Sequence, residues 1–366
     1  MRKVGAELVW CLSVALLAGL TQAALAGDGF DVLRQIPVGS GPNAMALGDS
    51  LYVCLGEEGA VAVVDTVAET LTARIDVGRT PVAIELVSGG RRAAVACMSS
   101  SEVWLVDLRN GKRLATTPVA QTPRALCYLP QASLLIVSCY HGGKLELLDA
   151  SNLKPLATLD ATVGVYRMAA TPDESKVYVM DSSGSRVYVL DVASRQLVKT
   201  LEEGLGSGQW DLAMDAAGRT LVISNWGSNT LTRIDTGNDE ILRPIETEGY
   251  GAAPLALTPD GCQALVSHSE DDSVSLVDVR GGRLLGRASI GRFPFSDVAI
   301  SPDGRFGLVT NDNERTVSVL SLEPLRELTR LKTGKIPRTV LFSADGSRAY
   351  VANTDGGTVT VLGTKR

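Results

Sequence analysis

The chain has 366 residues and a formal net charge of −6 at pH 7; 45% of its residues are hydrophobic and only 5% aromatic. The mild acidity speaks against unspecific attraction to nucleic acid or anionic lipid, and the length asks for two domains or one closed repeat architecture. There is no CxxCH haem-attachment motif, and the spacing of the six cysteines fits no CxxC metal motif.

The first element in chain order is a targeting segment. Arg2 and Lys3 precede an apolar run from Leu8 to Leu20, and Ala24-Leu25-Ala26 supplies small residues for cleavage. The run is too short to span a bilayer. Residues 1–26 therefore read as a secretory signal peptide, and residues 27–366 as one mature domain of the bacterial periplasm. No membrane span is expected after cleavage. Most of the remaining cysteines (Cys54, Cys97, Cys127, Cys139 and Cys262) sit inside apolar runs, as small buried hydrophobes do.

A lone strand, "FDVLRQIPVG" at Phe30–Gly39, precedes a repeat. Alternating apolar strands end at Asp65, Asp107, Asp149, Asp191, Asp235 and Asp278, with degenerate copies at Ser321 and Gly363. Successive copies lie 42, 42, 42, 44, 43, 43 and 42 residues apart. Each period holds four short strands, and Asp-Gly turns recur at Asp260-Gly261, Asp303-Gly304 and Asp345-Gly346. Four antiparallel strands per period of this length make a propeller blade, so the chain is expected to be all-β with eight blades. The closing Asp of each third strand is expected to cap the following turn. The last unit lacks a fourth strand and the N-terminus has one to spare. The N-terminal strand is therefore expected to pair with Thr358–Leu362, closing the ring with one strand from one end and three from the other.

"AYVAN" at Ala349–Asn353, "GLVTN" at Gly307–Asn311, "LVISN" at Leu221–Asn225 and "SPDGR" at Ser301–Arg305 resemble the Tyr-Val-Thr-Asn repeat propellers over nearly the whole mature chain. Eight-bladed members include the haem-binding propeller of periplasmic cytochrome cd-type nitrite reductase and its cofactor-assembly proteins. Seven-bladed relatives include periplasmic binding proteins, lactonases and amine dehydrogenase subunits. The resemblance implies a fold more than an activity.

Aligning the repeats places Leu55, Cys97, Cys139, Asp181, Asn225, His268, Asn311 and Asn353 at the ends of the second strands. The asparagines are expected to bond local backbone. Loops between blades add Arg79, Arg124, Tyr166, Arg167, Trp210, Asp211, Tyr250, Phe293, Phe295, Asp297 and Arg338 to the same face. From these, Arg124, His141, Tyr166, Arg167, Asp181, Trp210, Asp211, Trp226, His268 and Arg338 are the ligand-binding candidates. Trp210 and Trp226 suggest an apolar wall, or else blade packing, and the arginines suit carboxylates. His141 and His268 read as loop residues that a metal or haem iron could use. Cys97, Cys139 and His141 form a weak candidate for a soft-metal site.

No GxSxG, HExxH or P-loop motif occurs. The leading expectation is a periplasmic binding or scaffold protein, without catalysis, that meets a small ligand or protein partner on its loop face. A tetrapyrrole-binding or cofactor-assembly role, with a haem d-type group as cofactor, is the alternative that the resemblance implies. A lactonase-like hydrolase using Asp181, Asp211, Asp297 and the histidines stands behind both. Single-stranded DNA stacking on Trp210 and Trp226 is a further option that the net charge does not favour.

Overall fold

A computed structural model describes residues 29–292, 294 and 296–364; the predicted signal peptide, Phe293 and Phe295 lie outside them. The described residues contain 32 strands and no helix. The strands form eight four-stranded antiparallel sheets, and in seven of them the strands follow chain order from the inside of the ring outward. The blades span residues 42–76, 81–118, 123–160, 165–201, 209–246, 252–289, 298–332 and 337–364. The eighth is completed by Phe30–Pro37.

Local chemistry explains the blade. Second and third strands, such as Leu51–Leu55 and Ala60–Asp65, are buried along almost their whole length, whereas the outermost strand Thr70–Asp76 exposes most of its residues. Their aliphatic and β-branched side chains fit because both sheet faces pack against a neighbouring blade. One such interface joins Tyr178, Met180 and Val187 of blade 4 to Leu212, Leu221 and Ile223 of blade 5. The Asp that ends each third strand turns the chain. Asp65 Oδ1 accepts from the Val67 and Ala68 amides at 2.8 Å, and Asp107, Asp149, Asp191, Asp235 and Asp278 repeat the arrangement. At the first turn, Gly304 sits at φ +73°, where only glycine is comfortable, and its amide donates to Ser301 O at 2.8 Å.

The N-terminal strand pairs antiparallel with Thr358–Thr364, from Phe30 opposite Thr364 to Pro37 opposite Thr358. Phe30 is fully buried and meets Phe306 and Phe342 edge-on, at 5.7 and 5.8 Å between ring centres. Blade 8 also abuts blade 1: Thr354 Oγ1 donates to Pro42 O at 2.8 Å, and Thr339 Oγ1 donates to Asn43 O. The expected one-plus-three pairing is present.

Candidate functional site at the channel mouth

Each innermost strand except that of blade 7 slips its register near its N-terminal end, where the between-blade loop enters. The slips fall around Arg124, around Tyr166 and Arg167, around Trp210, and around Arg338. A bulge leaves a residue out of the ladder and re-aims its side chain. Four of the eight blades thereby present a large side chain to the loop-face mouth of the central channel. In the same aligned column the other blades carry Asn43, Val82, Ala253 and Ser296.

Blades 3 and 4 build the most organised part. The Arg124 guanidinium lies 4.9 Å from the ring centre of Tyr166 and 5.9 Å from that of Tyr140, a cation between two π faces. Arg124 has no carboxylate within ion-pair distance among the described residues. Arg167 lies 5.4 Å from the same ring centre. Its Nε stands 3.1 Å from Asp211 Oδ1, close enough for an ion pair but not aligned as a hydrogen bond. The Arg167 side chain is 38% exposed, while its Nε is buried.

Two carboxylates complete the cluster, and both also clamp the ring. Asp211 accepts from its own neighbour Leu212 N at 2.9 Å and, one blade on, from Leu255 N at 3.3 Å. Asp297 repeats this with Val298 N at 3.0 Å and Val340 N, on blade 8, at 2.9 Å. Burial pushes Asp297 up to about 7, against the opposing pull of the Val340 amide and Arg167. Asp211 is also raised by burial, which outweighs Arg167 and its two amides. For Arg167, burial disfavours the charge, but Asp211, Tyr166 and Asp297 more than offset this and keep it protonated. The Tyr166 phenol is lowered, first by the charge of Arg167 and, against desolvation, also by Arg124.

The other sequence candidates separate. Arg338 is exposed at the mouth, and its charge bears on Asp312, whose carboxyl is nevertheless pushed up to about 6 by burial. Asp312 Oδ2 accepts from Ser296 Oγ at 2.6 Å, while Oδ1 has no partner among the described residues. Trp226 is 40% exposed and donates its indole N–H to Ser269 Oγ of blade 6 at 3.1 Å. Beside it, Tyr250 is 63% exposed. His141 is exposed, contacts Thr122 Oγ1 at 2.9 Å through Nδ1, and packs edge-on against Tyr140.

Two placements correct the sequence reading. His268 is not a loop residue: it is the last residue of the strand Gln263–His268 and is fully buried. Its Nε2 pairs with Ser275 Oγ at 2.8 Å, and burial brings its pKa down to about 4. A Cβ on Gly249 would come within 2.6 Å of the imidazole, so that position must be glycine for the ring to fit. Asp181 is likewise fully buried. It closes its own turn by accepting from the Ser183 and Gly184 amides at 2.9 and 3.1 Å, and takes a further bond from Thr162 Oγ1. Neither side chain faces the channel mouth as a free ligand.

Cys97, Cys139 and His141 do not converge on a metal: no group of three or more His, Cys, Asp or Glu among the described residues is placed to hold one. Cys97 and Cys139 are buried free thiols pushed up to about 12, chiefly by desolvation, so they resist becoming the thiolates a soft metal needs. A groove of about 560 Å³ opens on the opposite face between blades 6 and 7, lined by Pro259, Arg305, Glu323 and Arg326 among others. Arg305 lies 5.3 Å from the ring centre of Phe306 there, but the channel mouth sets one guanidinium against two tyrosine rings and is the better candidate.

Sequence reasoning passed over Tyr140 and Asp312. Both lie one position beyond the second-strand ends, in the column that also holds Trp226. That column varies from blade to blade, and the variation was the available signal.

No family model matches the chain, and no curated protein matches it. Solved structures do. The dihydro-haem d1 dehydrogenase NirN, in complex with DHE, is similar with a TM-score of 0.72 and 19% identity, over 85% of this chain and 70% of that one. Hydrazine synthase of Kuenenia stuttgartiensis is similar with a TM-score of 0.62 and 19% identity, over 83% of this chain and 99% of that one. At this identity the likeness is one of fold, and this chain's own fold is an eight-bladed β-propeller.

Proposed function

We propose that this is a periplasmic binding protein of Tyr-Val-Thr-Asn repeat type that takes a flat, carboxylate-bearing ligand at the loop-face mouth of its channel. The observation that carries this reading is Arg124, a cation set against the rings of Tyr140 and Tyr166 with no acidic partner among the described residues. A guanidinium in that setting is pre-oriented for a carboxylate, and the tyrosine faces beside it suit a conjugated ring system. Arg338 offers a second cation at the same mouth. A tetrapyrrole is the ligand class that fits best, being flat and bearing several carboxylates. The similarity to a propeller solved with DHE supports that choice. No histidine at the mouth other than His141 is available as an axial ligand, so recognition rests on the carboxylates and the ring.

Titration of the protein with haemin and with metal-free protoporphyrin tests this. A saturable change in the porphyrin's main absorption band is expected with both, weakened about tenfold in Arg124→Gln, the loss of one charge-assisted contact. Absence of any saturable change with either porphyrin overturns the tetrapyrrole assignment. A second reading, a protein partner on the same face, is favoured by the exposed Trp226 and Tyr250 over blades 5 and 6. Its mark would be partner capture abolished by Tyr250→Ala with porphyrin binding intact.

A further inference from the structure

We infer that Tyr166 is a proton-accepting catalytic residue, acting on a ligand whose carboxylate is held at the channel mouth. The location of that ligand rests on the binding reading above; the reactivity of the tyrosine does not. The Tyr166 ring lies against both guanidiniums of the cluster, Arg124 at 4.9 Å and Arg167 at 5.4 Å from its centre. It sits on a bulge, out of the sheet ladder, where nothing in the strand pairing requires a tyrosine. The groups facing it are Arg124 and Arg167, whose charges favour the phenolate, and Asp211, whose charge opposes it. Arg167 is in turn fixed by Asp211, which is itself pinned by two backbone amides, so the cation beside the phenol is pre-positioned.

The chemistry is a proton shift. A C–H bond beside the ligand carboxylate breaks, the Tyr166 O–H bond forms, and the electron pair delocalises onto the carboxylate, where Arg124 meets the added charge. Return of a proton to the other face, or to a conjugated carbon, completes an isomerisation without oxidant or cofactor. Tyr166 itself returns the proton, to a conjugated carbon, which restores the phenolate. Arg124 meets the ligand carboxylate directly, and Arg167 acts through the phenol as a positioning residue.

The test needs no ligand. The chain has eight tyrosines, and the near-ultraviolet phenolate band, followed against pH in the folded protein, is expected to show one ionising before the rest. That early step should vanish in Tyr166→Phe and move to higher pH in Arg167→Gln, with circular dichroism unchanged. As a second readout, 4-(fluorosulfonyl)benzoate carries a carboxylate for Arg124 and a sulfur that an ionised phenol attacks as fluoride leaves. Mass spectrometry should find the label on Tyr166, formed about tenfold more slowly in Arg167→Gln. A uniform tyrosine titration, or labelling spread over several tyrosines at rates indifferent to Arg167, overturns the inference. Porphyrin binding could survive that outcome, so the two readings fail separately.

Discussion

His268 Nε2 stands 2.8 Å from Ser275 Oγ, and this step of seven positions is the same interval over which Asn225, Asn311 and Asn353 contact Thr232, Ser318 and Thr360, each at 2.9 Å. The imidazole therefore does in blade 6 what an asparagine amide does in blades 5, 7 and 8: it fills the end of the second strand and ties it to the third. A histidine in that place titrates, and an asparagine does not.

His268→Asn should accordingly fold normally and lose a pH dependence. With its pKa brought from the usual imidazole value down to about 4, chiefly by desolvation, the folded protein binds fewer protons than the unfolded chain between about 4 and 6.5. This contribution to stability is fully present above that window and is lost as pH falls through it, by up to ~1.4 kcal/mol per pH unit. Urea denaturation at pH 7 and pH 5 should show a smaller loss in the variant than in the wild type. An identical loss in both would assign the acid sensitivity to other groups.

Asp297 has the opposite sign. Its carboxyl is raised to about 7, so the folded state holds a proton that the unfolded chain has given up above about pH 4. The stabilisation it gives is complete below pH 4 and is lost as pH rises to 7. Asp297→Asn cannot titrate, and its amide N–H₂ replaces one oxygen that now accepts a backbone amide. A fixed cost is expected at all pH values, of about 1–3 kcal/mol for the unmatched donor. The difference from wild type should shrink as pH rises from 4 to 7, by up to ~1.4 kcal/mol per unit. Denaturation midpoints across that range measure it, and a constant difference would show that the carboxyl is ionised throughout.

The clasp strand gives a prediction of stability. Phe30→Ala empties a fully buried site between Phe306 and Phe342 and should cost about 3–5 kcal/mol. Leu33→Ala, on the same strand at 45% exposure, should change stability by less than about 0.5 kcal/mol. Equal effects in equilibrium unfolding would mean that the strand is held by its backbone alone.

Much of the ring was legible because its signal is periodic. Spacings of 42 to 44 residues fixed the blade count, and Asp65 and its equivalents marked the third-strand ends whose capping role the hydrogen bonds bear out. Arg124, Tyr166, Arg167 and Asp211 could be singled out because they depart from the small residues that other repeats carry in those columns. The double role of Asp211 and Asp297 could not be read, since each takes its second amide from a different blade, Leu255 and Val340. His268 was misread by a single position: strand end and loop start are adjacent in sequence, but one is buried and the other is wet. The reach of Trp226 was equally hidden, for its indole N–H crosses to Ser269 of the next blade.

The register of the clasp also has a mechanical meaning. Phe30 lies opposite Thr364 and Pro37 opposite Thr358, so residues 30 and 364 leave the sheet at the same edge. Tension applied between them peels the two strands apart one pair at a time, beginning at Phe30 and ending at Pro37. It does not shear all the hydrogen bonds together. The ring should yield to such a pull at low force, parting within blade 8 while the other seven blades remain unloaded until the final pair separates.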